Sequence, residues 1–447
     1  MKSTQPKVLH EICGRPMLWW VLRALSAAGI DGTTIVASPD NEAGAAAIGE
    51  TFPALRARIA VQSEQRGSGD AVRVGLSALA SDARDGTVLV VNGDMPLLEP
   101  EVVRATLAAR DGDTALALVT TRVLLPSGFG RVVRHGDTVL RIVEARDASP
   151  GELAIDEVNA GLYAFDERAL RGVIDRLRPD NDQGELYVTD TVAMLVEGGQ
   201  RVVAVACNDS QTVAGVNDRV ELAAVRAILN ERLCALYMKA GVTIVDPATT
   251  YLEPDLDLGQ DVILYPNTTL GGSLKVAGGA RIGPNARIFG SSIGEGTQIT
   301  DSLVFNCTIG PHVTVGPFAH LRDGAVLEAD VHVGNFVEVK KSRLGSGVKS
   351  AHLTYLGDAS IGDHTNIGAG TITCNYDGVR KNPTKIGRNV FIGSNSSLVA
   401  PIEIGDGAAT GAGAVVINDV EANDRVVGNP ARSIGAPKKT AKRVAPG

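Results

Sequence analysis

The sequence predicts a chain in two parts: an α/β domain, Rossmann-like with a mostly parallel sheet, followed by a parallel β-helix of hexapeptide repeats. Three observations predict it. From Leu18 to about Ala235, short aliphatic runs such as "TTIVAS", "TVLVVNGD" and "TALALVTT" alternate with helical stretches such as "DAVRVGLSALA" and "EVVRATLAAR". That alternation calls for a sheet fed by crossover helices. After Gly241 aliphatic residues recur every six positions, a period that fits neither a helix nor a single amphipathic strand but does fit the coils of a β-helix. Glycine is abundant, 51 residues, while aromatics make up only 4%; such a chain needs many tight turns and a core of small and branched aliphatics.

Taken in order, the elements follow from these patterns. The chain opens with "MKSTQPKVLH", and the α/β pattern spans 1–219. The segment "VELAAVRAILNERLCALYMKA", rich in Ala, Leu, Arg and Glu without Gly or Pro, reads as one helix over 220–240 that connects the two parts. The β-helix is expected over 241–436. Its inward aliphatics are Leu258, Leu264, Leu270, Val276, Ile282 and Ile288. They resume at Leu303, Ile309, Val315, Leu321, Leu327, Val333 and Val339, and again at Ile386, Ile392, Leu398 and Ile404. Two stretches break the ladder, "EVKKSRLGSGVKSAHLTYLGD" and "ITCNYDGVRKNPTK", and are expected to be loops, where chemistry tends to sit. The basic tail at 437–447 reads as a solvated, disordered end.

Composition narrows the function classes. With 43 basic and 51 acidic residues, the net charge of −8 gives no general attraction for nucleic acid or an anionic membrane. Cys13, Cys207, Cys234, Cys307 and Cys374 are scattered, without a CxxC pair. This suggests neither a disulfide framework nor a zinc site and fits a reducing cytoplasm. No apolar run approaches the length of a membrane span.

Several residues carry chemistry in their own right. Asn92, Gly93 and Asp94 end an aliphatic strand, where open α/β sheets bind ligands, so Asp94 is placed to hold a metal or to cap a helix. Gln62 precedes a Gly67-Ser68-Gly69 turn that opens a helix, a candidate anion contact. In the second part His352 lies among small and hydroxyl residues near Tyr355, with Glu338, Lys340, Lys341, Asn375 and Tyr376 in neighbouring stretches. Acylating an amine needs a base, oxyanion donors and, for a phosphorylated substrate, cations. Histidine suits the first role by its pKa; His352 as a surface histidine and the lysines as a solvated face remain the plain alternatives.

The stretches "GPFAHLRDGA", "VGNFVEVKKS", "HLTYLGDASIGDHTNIGAGTITCNYDG" and "VFIGSNSSLVAPIEIG" closely resemble the acetyltransferase part of the bacterial bifunctional GlmU family. "PKVLH", "VQSEQRGSGDAV", "TVLVVNGDMPLL", "PSGFGRV", "IVEARDA", "EVNAGLYAF" and "GVNDR" resemble its uridylyltransferase part in the same order, so the resemblance covers nearly the whole chain. It implies a left-handed β-helix, a homotrimer with sites shared between neighbouring prisms, small-molecule substrates, acetyl-CoA as co-substrate and Mg²⁺ as cofactor. In the first part it assigns UTP or sugar-nucleotide contacts to Lys7, Gln62, Gly67, Ser68, Asn92, Gly93, Asp94, Gly130, Glu144, Asn159 and Asn217, with Asp94 and Asn217 as metal ligands. In the second it makes His352 the catalytic base. Arg322 and Lys340 hold the sugar phosphate, and Tyr355 and Asn366 contact the sugar. Ala369, Asn375, Tyr376, Ser394 and Ala412 line the acetyl-CoA side. Lys381 is a weaker candidate, Glu338 is expected to orient His352, and where the family carries a late basic residue against the CoA this chain has Asn429, with Arg432 three residues late.

The same pattern places a strand and a glycine-bearing phosphate loop ahead of Pro-Lys-x-Leu-His. The chain is therefore expected to start inside that loop and to be impaired in uridylyl transfer as it stands. Three other readings compete with the bifunctional one: an acetyltransferase only, a different sugar-nucleotide pyrophosphorylase with a non-catalytic β-helix trimerisation domain, and a trimerising scaffold without catalysis.

Overall fold

The computed structural model describes residues 1–79, 86–124 and 128–435. The tail expected at 437–447 lies outside the described residues. The chain forms two compact units, Met1–Leu229 and Asn230–Gly447. The boundary falls inside a helix, Arg219–Lys239, whose ends lie one residue before those the sequence indicates.

In the first unit the order is α1 (Met17–Ala27), β1 (Thr34–Ala37), α2 (Glu42–Glu50), β2 (Arg58–Val61), α3 (Ser68–Ser77), β3 (Thr87–Val91) and α4 (Pro100–Ala109). There follow β4 (Thr114–Arg122), the hairpin β5 (Arg131–His135) and β6 (Thr138–Val143), then β7 (Glu157–Asp166), α5 (Glu167–Ile174), α6 (Asp190–Glu197) and β8 (Arg201–Ala206). β1 and β2 pair in parallel as a two-stranded sheet, and β8 pairs in parallel with β4. β7 departs from the expected parallel run, being antiparallel to both β3 and β4. The reason is local: β7 follows a hairpin, not a crossover helix, and a strand reached without a crossover returns antiparallel. β3, β4 and β8 still share one direction, so their carboxyl ends and the amino end of β7 meet at one edge.

The core beneath this edge joins Leu116, Leu118, Val132, Ile142 and Phe165 of the sheet to Leu170, Val173 and Ile174 of α5 and Val192 and Leu195 of α6. Burying each such side chain contributes about 1.5–3 kcal/mol. α5 begins where it does because Asp166 caps it, its side chain accepting from the Ala169 amide at 2.9 Å.

The second unit is a β-helix with three parallel faces. One column of inward residues runs Leu264, Ile282, Ile299, Val315 and Val333; a second runs Leu270, Ile288, Val304, Leu321 and Val339; a third runs Val276, Ile293, Ile309 and Leu327. Most of the repeat positions read from the sequence point inward, but two expectations are corrected. Leu303 is 37% exposed and its neighbour Val304 is fully buried, because the turns on either side of Val304 each take five residues, as Ile299, Val304 and Ile309 show. The first supposed loop is also not a loop. Leu344, Ser350, Leu356, Ile361 and Ile367 continue all three columns through it, hidden in the sequence by five-residue steps and by a serine in an aliphatic position. The second break is a loop, between strands Ile372–Cys374 and Thr384–Ile386, closed by a Tyr376–Lys381 bridge.

Candidate active sites

In the first unit the expected residues gather at the edge where strand ends meet. Asn92 to Asp94 leave β3, Gln62 leaves β2, Glu144 leaves β6, and Asn159 sits near the start of β7. Lys7 Nζ contacts Asp94 Oδ2 at 2.5 Å and donates to Asn217 Oδ1 at 2.8 Å. The Val216 amide donates to the Asp94 carbonyl at 3.1 Å, and the Asn217 amide to Glu221 Oε2 at 2.6 Å, which fixes the Asn217 turn. Two hard oxygen donors thus converge on one cationic group. This donor chemistry fits Mg²⁺, which takes few protein oxygens and completes its shell with phosphate and water. Among the described residues no group of three or more His, Cys, Asp or Glu could hold a metal, so a single carboxylate and one amide are what the site offers.

A continuous set of contacts links the remaining residues. Gly161, at φ +76°, has no room for a side chain: a Cβ there would stand 2.3 Å from Asn92 Nδ2. The Gly161 amide donates to Asn159 Oδ1 at 3.2 Å, and Asn159 Nδ2 donates to the Tyr163 hydroxyl at 2.6 Å. The Asn159 amide reaches the Gly130 carbonyl at 2.9 Å, and Gly130 leaves space for Glu144, whose Oε1 would be 3.3 Å from a Cβ there. Thr189 Oγ1 donates to Glu144 Oε1 at 2.9 Å. Burial pushes the Glu144 carboxyl above the ordinary range; the Thr189 bond opposes this, and Asp190 and Asp147 add to it. Ser68 Oγ accepts from the Val188 amide at 3.0 Å, so its side chain already serves the fold. Gln62 Nε2 donates to Asp70 Oδ2 at 2.8 Å. Gly93 packs near Val8, which brings the "PKVLH" stretch beside the β3 end.

In the second unit the register builds the site. Asn335 pairs with His352 across adjacent strands. Below them the same corner continues: the Gly370 amide reaches the His352 carbonyl at 3.4 Å, Asn395 N the Ala369 carbonyl at 2.6 Å, and Gly413 N the Ser394 carbonyl at 2.8 Å. His352, Ala369, Ser394 and Ala412 therefore stand on successive coils at one vertex, where the three that follow the histidine are small. Asn366 lies on the adjoining face, between Lys349 and Phe391 in register.

Around the next face Arg322, Lys340 and Gly357 align in register. Lys340 meets Lys381 of the loop. That contact, then burial and the charges of Lys381 and Arg322, push the Lys340 ammonium below its ordinary value, while Lys381 is pushed up by the same contact. Asn375 is buried, 6% exposed, and Nδ2 donates to Asp358 Oδ2 at 2.5 Å and to the Tyr355 hydroxyl at 3.5 Å. Tyr376 is exposed and its hydroxyl donates to the Gly378 carbonyl at 2.6 Å.

Three outcomes depart from the sequence reading. Glu338 does not orient His352: its Oε1 accepts from Arg322 Nε at 2.8 Å and lies 2.7 Å from Nη2. The imidazole partner is Asn335, whose Oδ1 is 2.6 Å from His352 Nδ1. The signal was present, since Asn335 sits one coil, 17 residues, before the histidine. Asp358, with Asn375, and Thr189, with Glu144, were also missed; they become visible only once the chain is folded.

These two arrangements define a class: a nucleotidyltransferase domain joined to a hexapeptide-repeat transferase domain. Residues 1–187 match the MobA-like NTP transferase domain, and 306–341 and 383–418 match the bacterial transferase hexapeptide (six repeats). The bifunctional protein GlmU of Streptomyces avermitilis is 44% identical over 94% of this chain and 87% of its own length. That of Mycolicibacterium gilvum is 45% identical over 94% and 85%, and that of Corynebacterium aurimucosum 42% over 94% and 87%. The chain belongs to the GlmU family of bifunctional transferases. No helix among the described residues is long and apolar enough to cross a membrane.

Proposed function

We propose that the chain makes UDP-N-acetylglucosamine in two steps, one in each unit. What supports the reading is that each unit brings part of its expected residues together: in the first at the edge where strand ends meet, and in the second as two groups, one at the His352 corner and one around Arg322 and Lys340 on the next face. In the second unit the amine of glucosamine-1-phosphate attacks the acetyl-CoA thioester carbonyl. A C–N bond forms, the C–S bond breaks, and His352 takes the amine proton and returns it to the departing thiolate. Two lysines in contact, with Arg322 in line, form a cationic patch suited to the sugar phosphate, and the small residues Ala369, Ser394 and Ala412, stacked on successive coils, would face the acetyl-CoA. Asn375 acts by holding Asp358 and Tyr355, while Tyr376 and Asn366 are left outward for substrate.

In the first unit a phosphate oxygen of N-acetylglucosamine-1-phosphate attacks the α-phosphorus of UTP, and pyrophosphate leaves. Mg²⁺ held by Asp94 and Asn217 would neutralise phosphate charge when bound. Lys7 adds a second positive charge at the same edge. Gly67, Gly93 and Gly130, whose missing Cβ atoms make room for Leu186, Val8 and Glu144, would meet the nucleotide through backbone atoms, and Glu144 and Asn159, fixed by Thr189 and Tyr163, are set to receive sugar hydroxyls. Positioning supplies most of the remaining rate.

The same proposal includes a homotrimer working in the cytoplasm, with domains at 1–219 and 241–436 and the connecting helix between. Exposed Phe318, Phe336 and Leu353, the two rings stacked at 5.3 Å, form an apolar ridge beside His352 that a neighbouring prism would cover. The test is to supply glucosamine-1-phosphate with acetyl-CoA and, separately, N-acetylglucosamine-1-phosphate with UTP and Mg²⁺. Release of CoA thiol in the first and of pyrophosphate in the second is expected; absence of thiol release, or its survival in His352→Ala, overturns the acetyl-transfer half.

A further inference from the structure

We infer that Asn335 is the positioning residue of the acetyl-transfer site: its carboxamide oxygen takes the Nδ1 proton of His352 and leaves Nε2 as the free base. The inference rests on the acetyl-transfer reading and adds the group that makes the histidine usable. A neutral imidazole has one N–H and one lone pair, and whichever nitrogen is bonded to an acceptor carries the hydrogen. Asn335 Oδ1 lies 2.6 Å from Nδ1, so the hydrogen belongs on Nδ1 and the lone pair on Nε2.

The contact is built into the fold. Asn335 and His352 end adjacent parallel strands, Asn335 directly opposite His352 in register. The Leu353 amide donates to the Asn335 carbonyl at 3.0 Å, which ties the two corners together on the backbone as well. A one-residue slip in either coil would separate them, and the inward column of Val333 and Ser350 forbids such a slip.

The choice of an amide has a chemical consequence. A carboxylate in this place would favour the imidazolium and leave fewer base-competent molecules at neutral pH. The carboxylate nearest in sequence, Glu338, is occupied by Arg322. Other titratable or charged groups on the elements packed here are Lys349 on the histidine's own strand, His332 on the flanking strand, whose Nδ1 is 2.6 Å from Thr314 Oγ1, and Tyr355 beyond the corner.

The experiment compares full-length Asn335→Asp, Asn335→Leu and His352→Ala, with kcat, KM and pH profiles for acetyl transfer and thermal melting as the folding check. Asn335→Leu is expected to lose about 10–100-fold in kcat, with KM for both substrates within about threefold, a part of the roughly 10²–10⁴-fold that a positioned general base contributes. Asn335→Asp keeps the orientation and is expected to move the acid limb of the kcat/KM profile upward by about one pH unit or more. A kcat for Asn335→Leu within about threefold of the parent, or an unmoved limb in Asn335→Asp, overturns the inference. If Asn335→Leu fails to fold, the nearly isosteric Asn335→Asp decides alone. Activity surviving in His352→Ala would sink the acetyl-transfer reading itself, whereas an inactive His352→Ala beside two normal Asn335 variants sinks only the role of Asn335.

Discussion

Replacing Gly67 by alanine tests how tightly the backbone of the first site is determined. Gly67 has φ 106° and ψ 177° at the entrance to α3, a region that is essentially closed to other residues and costs about 1–3 kcal/mol to occupy. The added Cβ would stand 2.5 Å from the Leu186 carbonyl oxygen and 2.9 Å from its nitrogen. Both are backbone atoms, so the Leu186 segment must move. Moving it gives up the Gly69 amide bond to Leu186 O at 2.7 Å and the Leu186 amide bond to Arg66 O at 2.8 Å, worth about 0.5–1.5 kcal/mol each. The local cost is therefore about 2–6 kcal/mol. Hydrogen exchange reads this directly: the Gly69 and Leu186 amides should exchange at least about 30-fold faster, since 1.4 kcal/mol is a factor of ten, while amides of the β-helix stay unchanged. Gly112→Ala is the control, because Gly112 has φ 42° and nothing within 4 Å of a Cβ; it should leave those amides alone. Equal exchange in Gly67→Ala and the parent, within about threefold, would refute the reasoning.

Other consequences are as direct. Lys381→Ala removes the contact that lowers Lys340 and one of the cations facing the sugar phosphate; KM for glucosamine-1-phosphate should rise about tenfold, the effect of roughly 1.4 kcal/mol, with kcat nearly constant in initial-rate assays. Because burial raises the Glu144 carboxyl, the folded protein takes up that proton before the unfolded chain does as pH falls. Its contribution to stability therefore decreases as pH rises from the unfolded pKa through the raised folded one. Affinity of the first site for UDP-N-acetylglucosamine should weaken on acidification above the usual carboxylate range, and Glu144→Gln should flatten that dependence in isothermal titration. Leu321→Ala, at a fully buried column position, should cost about 2–5 kcal/mol in urea unfolding of the second unit.

The six-residue period made the β-helix legible because each inward aliphatic repeats at a fixed distance along the chain, so one rule suffices for three faces. It failed where the fold substituted another solution. Ser350 fills an aliphatic place, and the corners before Val304, Ile309, Leu344 and Ile361 are one residue shorter, so the ladder vanished from a segment that continues it. The sheet of the first unit was read from its strand–helix alternation, which says nothing about the hairpin that turns β7 around. Some residues named from motifs share a strand edge or a coil corner, as Asp94 and Asn217 do around Lys7 and as His352 and Ala369 do, but their partners did not follow from spacing. Glu338 was expected to orient His352, yet it stands on the face after the histidine's corner, where its carboxylate reaches diagonally to Arg322 on the preceding coil.

That pairing also sorts the cations of the second site by task. Arg322 is held by Glu338 and by Asp323 at 2.8 Å, so its charge is largely offset and its planar head is oriented before any substrate arrives. Lys340 and Lys381 instead meet each other, and the contact lowers the first of them. Like charges in contact disfavour the empty site, and an arriving phosphate relieves them. In the proposed site, affinity for the anion would therefore reside mainly in the lysine pair, with Arg322 contributing direction. Since Lys381 rides on the loop between Cys374 and Thr384, and Asn375 at its root holds Asp358 and Tyr355, a phosphate seated on the lysines in the proposed site would also settle the loop against Tyr355. On that reading, substrate charge and sugar orientation would be coupled through one short segment.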